Sequence, residues 1–106
     1  MPLILRGTEL RYVLTLYLAQ NGPCTLSELI DGLAHQGFAV EGRPSKTISD
    51  ALRWELNYGR VFRKGRGRYA PGWAPRSTEY RIHKRVMELR IKARGADVVV
   101  RPWDWT

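Results

Sequence analysis

The sequence is short of cysteine, with Cys24 alone, and of histidine, with only His35 and His83. A single thiol excludes an intramolecular disulfide and points to a reducing, intracellular compartment. Three scattered N and S ligands lack the clustering of a zinc site, so no metal or other cofactor is expected. Cys24 reads as a small core residue, and the two histidines as surface or half-buried polar groups. No apolar run approaches the ~18 residues that span a bilayer, and no membrane partner is expected. The opening MPLILRGTEL has an apolar patch but neither a basic region before it nor a small-residue cleavage site, and reads as no signal peptide. Also missing are a nucleophile–base pair and paired carboxylates in a pocket-forming context, which argues against an enzyme. Repeats and low-complexity tracts are absent.

Acid is scarce where base is dense. The formal net charge is +8, and its distribution is uneven. Residues 43–94 hold fifteen Lys/Arg against Asp50, Glu55, Glu79 and Glu88, a balance of +11. Residues 1–42 come to −2 and residues 95–106 to −1. Such asymmetry points to a polyanionic partner, nucleic acid first. The chain is also 43% hydrophobic, with four Trp and five Tyr, enough for one small domain with an appendage.

The periodic segments predict helices. In TELRYVLTLYLAQNG, Leu10, Val13, Leu14, Tyr17 and Leu18 recur at helical spacing, with Thr8 as a cap and Asn21-Gly22 as the stop, giving a helix over about 8–20. Thr25 and Glu28 have capping-box spacing ahead of a second helix over about 26–36, stopped by Gly37. Pro23-Cys24 can form a very short strand. GFAVEGR reads as a linker that tucks Phe38 and Val40 into the core. A third helix starts at Pro44 or Ser45 and ends at Gly59, burying Ile48, Leu52 and Leu56. Its opposite face carries Lys46, Asp50, Arg53 and Asn57, with Ser49 and Trp54 at the edges; Glu55 sits awkwardly beside the apolar stripe. Val61-Phe62 and Tyr69-Ala70 read as the strands of a hairpin whose tip is KGRGR.

Helix, minimal strand, helix, helix, hairpin is the order of a winged helix-turn-helix. The expected fold is therefore mainly α with a small antiparallel β wing over residues 1–72. Residues 73–106 are expected to add a basic C-terminal helix and a short strand or Trp-containing tail. Within that segment Ile82, Val86, Leu89 and Ala93 form one apolar stripe, while Tyr80, Met87 and Ile91 form another nearly opposite. Ser77 reads as the cap and Gly95 as the stop. Two stripes suggest two packing partners, either the domain and a second copy of the chain or two surfaces within one chain; in the first case Tyr80, Ile82, Val86, Met87, Leu89 and Ile91, with Trp103 and Trp105, are the candidate oligomer interface. Trp103 and Trp105 are expected to dock on the domain or on a partner. Leu89, Ile91 and Ala93 also alternate with basic residues, so a strand paired with Val98–Val100 competes with the helix there.

The run NGP, TLSELIDGL, RPSKTISDALRWEL and VFRKGRGRYAPG resembles the HARE-HTH winged-helix domains over about residues 8–72. Those occur in bacterial RNA polymerase delta subunits, restriction-linked proteins and eukaryotic chromatin proteins. The resemblance implies duplex DNA or a protein such as RNA polymerase as partner. Arg66-Gly67-Arg68 is also similar to an AT-hook core, with Tyr69 where a proline usually follows.

In the usual docking of a winged helix, the third helix enters the major groove and the wing meets backbone or minor groove. Here the face that reaches base edges offers Lys46, Arg53 and Asn57, Arg53 able to fork onto guanine and Asn57 onto adenine, while Ser45 and Ser49 can donate to phosphates. Arg60, Arg63, Lys64, Arg66 and Arg68 supply the wing's charge. These ten residues are the expected DNA contacts. The expected function is a DNA-binding protein of the cytoplasm or nucleoid, either a small transcription regulator or a chromosome organiser. A module that docks on RNA polymerase or another protein is the alternative.

Overall fold

The computed structural model describes residues 2–94. Their order is β1 (Leu3–Leu5), α1 (Gly7–Asn21), β2 (Cys24–Thr25), α2 (Leu26–His35), β3 (Phe38–Val40), α3 (Pro44–Asn57), β4 (Val61–Gly65), β5 (Arg68–Pro71) and α4 (Arg76–Ala93). The chain is mostly helical, with a small antiparallel three-stranded sheet ordered β2-β5-β4. Among these residues no helix is long and apolar enough to cross a membrane.

The apolar opening is a strand. β1 pairs in parallel with β3, matching Leu3 to Phe38 and Leu5 to Val40. This corrects the linker expected at residues 37–43 and gives the opening patch a partner. Neither piece shows an alternation long enough to read, because each is three residues. α1 begins at Gly7 behind an Arg6 cap, so Thr8 lies inside the first turn and its hydroxyl accepts from Arg11 instead of capping.

α1 is the central helix. Leu10, Val13, Leu14, Thr15, Leu16 and Leu18 are all buried, which leaves little of its circumference for solvent. α2 contributes Leu29 and Leu33, α3 contributes Ile48 and Leu52, and Phe38, Val61 and Tyr69 close the same cluster. α4 joins it through Ile82, Val86 and Leu89, each at most 3% exposed. Their burial contributes about 1.5–3 kcal/mol apiece. These three residues were expected at an oligomer interface; the chain's own core covers them. α4 runs unbroken through Leu89–Ala93, which replaces the competing strand, and it starts behind Pro75 with no side-chain cap from Ser77. Arg90 ties its end to the domain, donating to Gln36 (2.7 Å) and Gln20 (3.2 Å). Gly95, Val98–Val100, Trp103 and Trp105 lie outside the described residues.

The α2 cap follows its sequence signature. The Glu28 amide donates to Thr25 Oγ1 (3.1 Å), and the Thr25 amide donates to Glu28 Oε1 (2.9 Å). The Thr25 amide first, and its hydroxyl second, hold the Glu28 carboxyl below its usual value of 4.5. A depressed carboxylate pKa stabilises the fold above the unfolded value and loses that contribution as pH falls through the folded one. Thr25→Ala is expected to lower stability by about 1 kcal/mol at neutral pH. That variant keeps the Thr25 amide, so the pH dependence is tested with Glu28→Gln, whose gap to wild type in urea unfolding should narrow as pH falls below 4.5.

Candidate nucleic-acid interface

α3 presents a polar face because its apolar residues fall on the other side. Lys46, Asp50, Arg53 and Asn57 are exposed, while Ser45 and Ser49 are half-buried at its margins. Asp50 pairs with Lys46 (3.1 Å) and more distantly with Arg53 (3.9 Å). Exposed pairs of this kind contribute about 0–1 kcal/mol, so both cations can exchange Asp50 for another anion at small cost.

The hairpin turns through Arg66-Gly67, and Gly67 takes the left-handed conformation that the turn requires (φ 68°). A register shift between Arg63 and Gly65 leaves Lys64 without a ladder partner. Arg63, Lys64, Arg66 and Arg68 are all exposed, and among the described residues none has a carboxylate within salt-bridge distance. The tip is anchored. Leu26 donates its amide to the Gly67 carbonyl (2.8 Å), and Thr25 pairs with Arg68 across β2 and β5. The four cations thus sit on a hairpin fastened to the start of α2, with Arg68 close enough to add to the lowering of the Glu28 pKa.

Arg60 differs from its sequence reading as a phosphate contact. Its guanidinium forks inward onto Glu55, with Nε to Oε2 at 2.6 Å and Nη2 to Oε1 at 3.0 Å. Glu55 is fully buried, so its charge requires a close partner. The Thr15 hydroxyl donates to it as well (3.2 Å), and Arg11 Nε stands 3.9 Å away. The bonds from Glu55 raise the Arg60 pKa and keep the guanidinium charged. Sequence reasoning missed this cluster. The one signal was an acid bordering an apolar stripe with no partner at helical spacing.

Sequence reasoning also missed an aromatic pair. Trp54 and Tyr58 lie one turn apart at the end of α3 and are 56% and 59% exposed. The Arg11 guanidinium sits over the Trp54 ring (5.5 Å to its centroid), and Arg60 sits over Tyr58 (4.7 Å).

Of the expected oligomer surface, Tyr80 is exposed, whereas Met87 and Ile91 are half-buried. Tyr80, Trp73 and Ala19 help line a hollow of about 430 Å³ between α1, the exit of β5 and α4, together with the buried Leu16 and Ile82. Cys24 is buried, and burial raises its thiol pKa.

Comparison with protein-family models, curated proteins and solved structures found no match for this chain.

Proposed function

We propose that the chain is a winged helix-turn-helix protein of the HARE-HTH kind that binds double-stranded DNA, as a small transcription regulator or a chromosome organiser. The observation that carries this reading is the hairpin after α3. Four exposed cations without carboxylate partners stand on a short structure tied to the α2 N-terminus. The element order α1, β2, α2, α3, β4, β5 and the sheet order β2-β5-β4 are compatible with that fold.

In this reading α3 lies in the major groove and the hairpin is the wing. Arg53, Asn57 and Lys46 face the base edges, Lys46 while still paired with Asp50. Arg63, Lys64, Arg66 and Arg68 neutralise backbone phosphates. Four such contacts correspond to a salt slope on the order of −4 in log K against log salt.

Fluorescence anisotropy on a labelled duplex over a salt series tests the proposal. Lys64→Gln/Arg66→Gln should weaken binding about tenfold at low salt and flatten the slope by roughly two, whatever the sequence. Arg53→Ala should instead change base preference. Undetectable binding at low salt, or a double variant with an unchanged slope, rejects the reading.

A further inference from the structure

We propose that Trp54 and Tyr58 form a stacking platform for unpaired bases, so that the protein prefers DNA with a few opened base pairs over continuous duplex. This inference rests on the nucleic-acid reading above and assigns it a second contact surface.

Single exposed aromatics are common on protein surfaces. This pair has further structure. Trp54 and Tyr58 are separated by four residues and so are neighbours on one helix face. More than half of each residue is open to solvent. Each ring is also packed against a guanidinium, Arg11 for Trp54 and Arg60 for Tyr58. Neither guanidinium is loose. Arg60 makes two hydrogen bonds to buried Glu55, and Arg11 donates to the Thr8 hydroxyl (3.0 Å) while standing 3.9 Å from the same carboxylate. Arg60 is thus held by Glu55 and Arg11 by Thr8, with the Glu55 charge nearby, and each arginine supports one ring. Rings held in this way lose little freedom when a partner stacks on them.

Charge selects the partner. The negative charge of Glu55 is offset by Arg60 and Arg11, and Asp50 is engaged by Lys46. Arg53 is exposed on the adjoining face. The hairpin bearing Arg63 and Lys64 begins within three residues of Tyr58. A flat, neutral ring carried on a polyanion satisfies both halves of this surface, and a nucleotide strand is such a ligand. Aromatic side chains beside a cationic track are the general device for holding single strands. In a closed duplex the faces of the bases lie inside the stack, out of reach of a side chain on a helix surface. The platform therefore acts only where bases are unpaired.

The test compares the full chain on three DNAs of one sequence: a continuous duplex, the same duplex with a short mismatched bubble, and the single strand. A fluorescent adenine analogue placed in the bubble reports stacking directly. Wild type should bind the bubble about tenfold more tightly than the duplex and quench the analogue. Trp54→Leu should abolish both the preference and the quenching while keeping duplex affinity, which also shows that the variant folds. Tyr58→Leu should reduce the preference, and Trp54→Phe should retain most of it. Equal wild-type affinity for duplex and bubble overturns the inference without touching the duplex reading. So does a preference that survives in Trp54→Leu, or an acidic peptide that occupies the platform without any bubble preference. Absence of binding to all three DNAs overturns the duplex reading and this inference together.

Discussion

Arg60→Met is expected to destabilise the protein by about 3–5 kcal/mol, and Glu55→Gln by roughly 1–3 kcal/mol. The asymmetry follows from what each change leaves behind. Without Arg60, a fully buried carboxylate keeps only the Thr15 hydroxyl and a distant Arg11. Without the Glu55 charge, two guanidiniums remain, with 18% and 21% of their side chains exposed, and each can swing toward water on its aliphatic stem. Glutamine in place of Glu55 still accepts from Thr15 or Arg60 through its amide oxygen. Glu55→Leu/Arg60→Met removes both buried charges and should be far milder than the sum of the single changes. Urea unfolding of the two single variants and the double variant measures the coupling. Equal single losses that simply add would show that the pair is not a closed buried unit. Arg60→Met also takes the cation from Tyr58, so the variant that destabilises the core should weaken the aromatic platform too.

The legible parts of this fold are those specified by nearby residues. The α2 capping box spans four residues, and both of its bonds form. Pro44 at the start of α3 and Gly59 beyond its end act through local backbone restriction, and both mark their boundaries. The hairpin follows from Gly67 and the two short apolar runs on either side. What stayed hidden depends on partners far along the chain. β1 is a strand only because β3, more than thirty residues away, offers it an edge. Three residues are too few to show a period, so the same letters read as an apolar patch and a linker.

The site divides in the same way. Charge can be counted from the sequence, and the exposed cations of the hairpin were found by counting. Counting cannot tell a cation facing solvent from one committed to the core. Arg60 is adjacent in sequence to the hairpin's cations but is turned inward by a carboxylate five residues before it. Trp54 and Tyr58 were equally out of reach, because Trp54 is supported by Arg11 on α1, which shares no local pattern with α3, and Tyr58 by Arg60, whose inward turn is itself set by buried Glu55. The second apolar stripe of the last helix had two readings open. Burial of Ile82, Val86 and Leu89 by the chain itself settles the role of the first stripe, because those side chains face α1 in the common core.

Gly72→Ala is expected to cost about 2–5 kcal/mol, more than Gly59→Ala at about 1–2 kcal/mol. Backbone angles alone predict the opposite order, since Gly59 has φ 75° and Gly72 has no such requirement. Surroundings reverse it. A Cβ at Gly59 meets nothing within 4 Å, so alanine there bears only the conformational penalty. A Cβ at Gly72 would run into the Gly59 carbonyl oxygen and lie 2.7 Å from the Arg60 carbonyl carbon. Both obstacles are main chain, which cannot rotate aside as a side chain can. The strand end would have to move away from the α3–β4 corner. That movement strains two hydrogen bonds, Gly72 N–H to the Arg60 carbonyl (2.8 Å) and Trp73 N–H to the Gly59 carbonyl (3.1 Å). It also disturbs the backbone that aims Arg60 at Glu55, since the Arg60 amide donates to the Glu55 carbonyl (3.1 Å). Gly72→Ala in an Arg60→Met background should therefore cost less than in wild type, because part of its penalty acts through that ion pair. Chemical unfolding of the single and combined variants measures this. A larger loss at Gly59 than at Gly72 would mean that the corner yields without strain and that close backbone contact is not what requires glycine there.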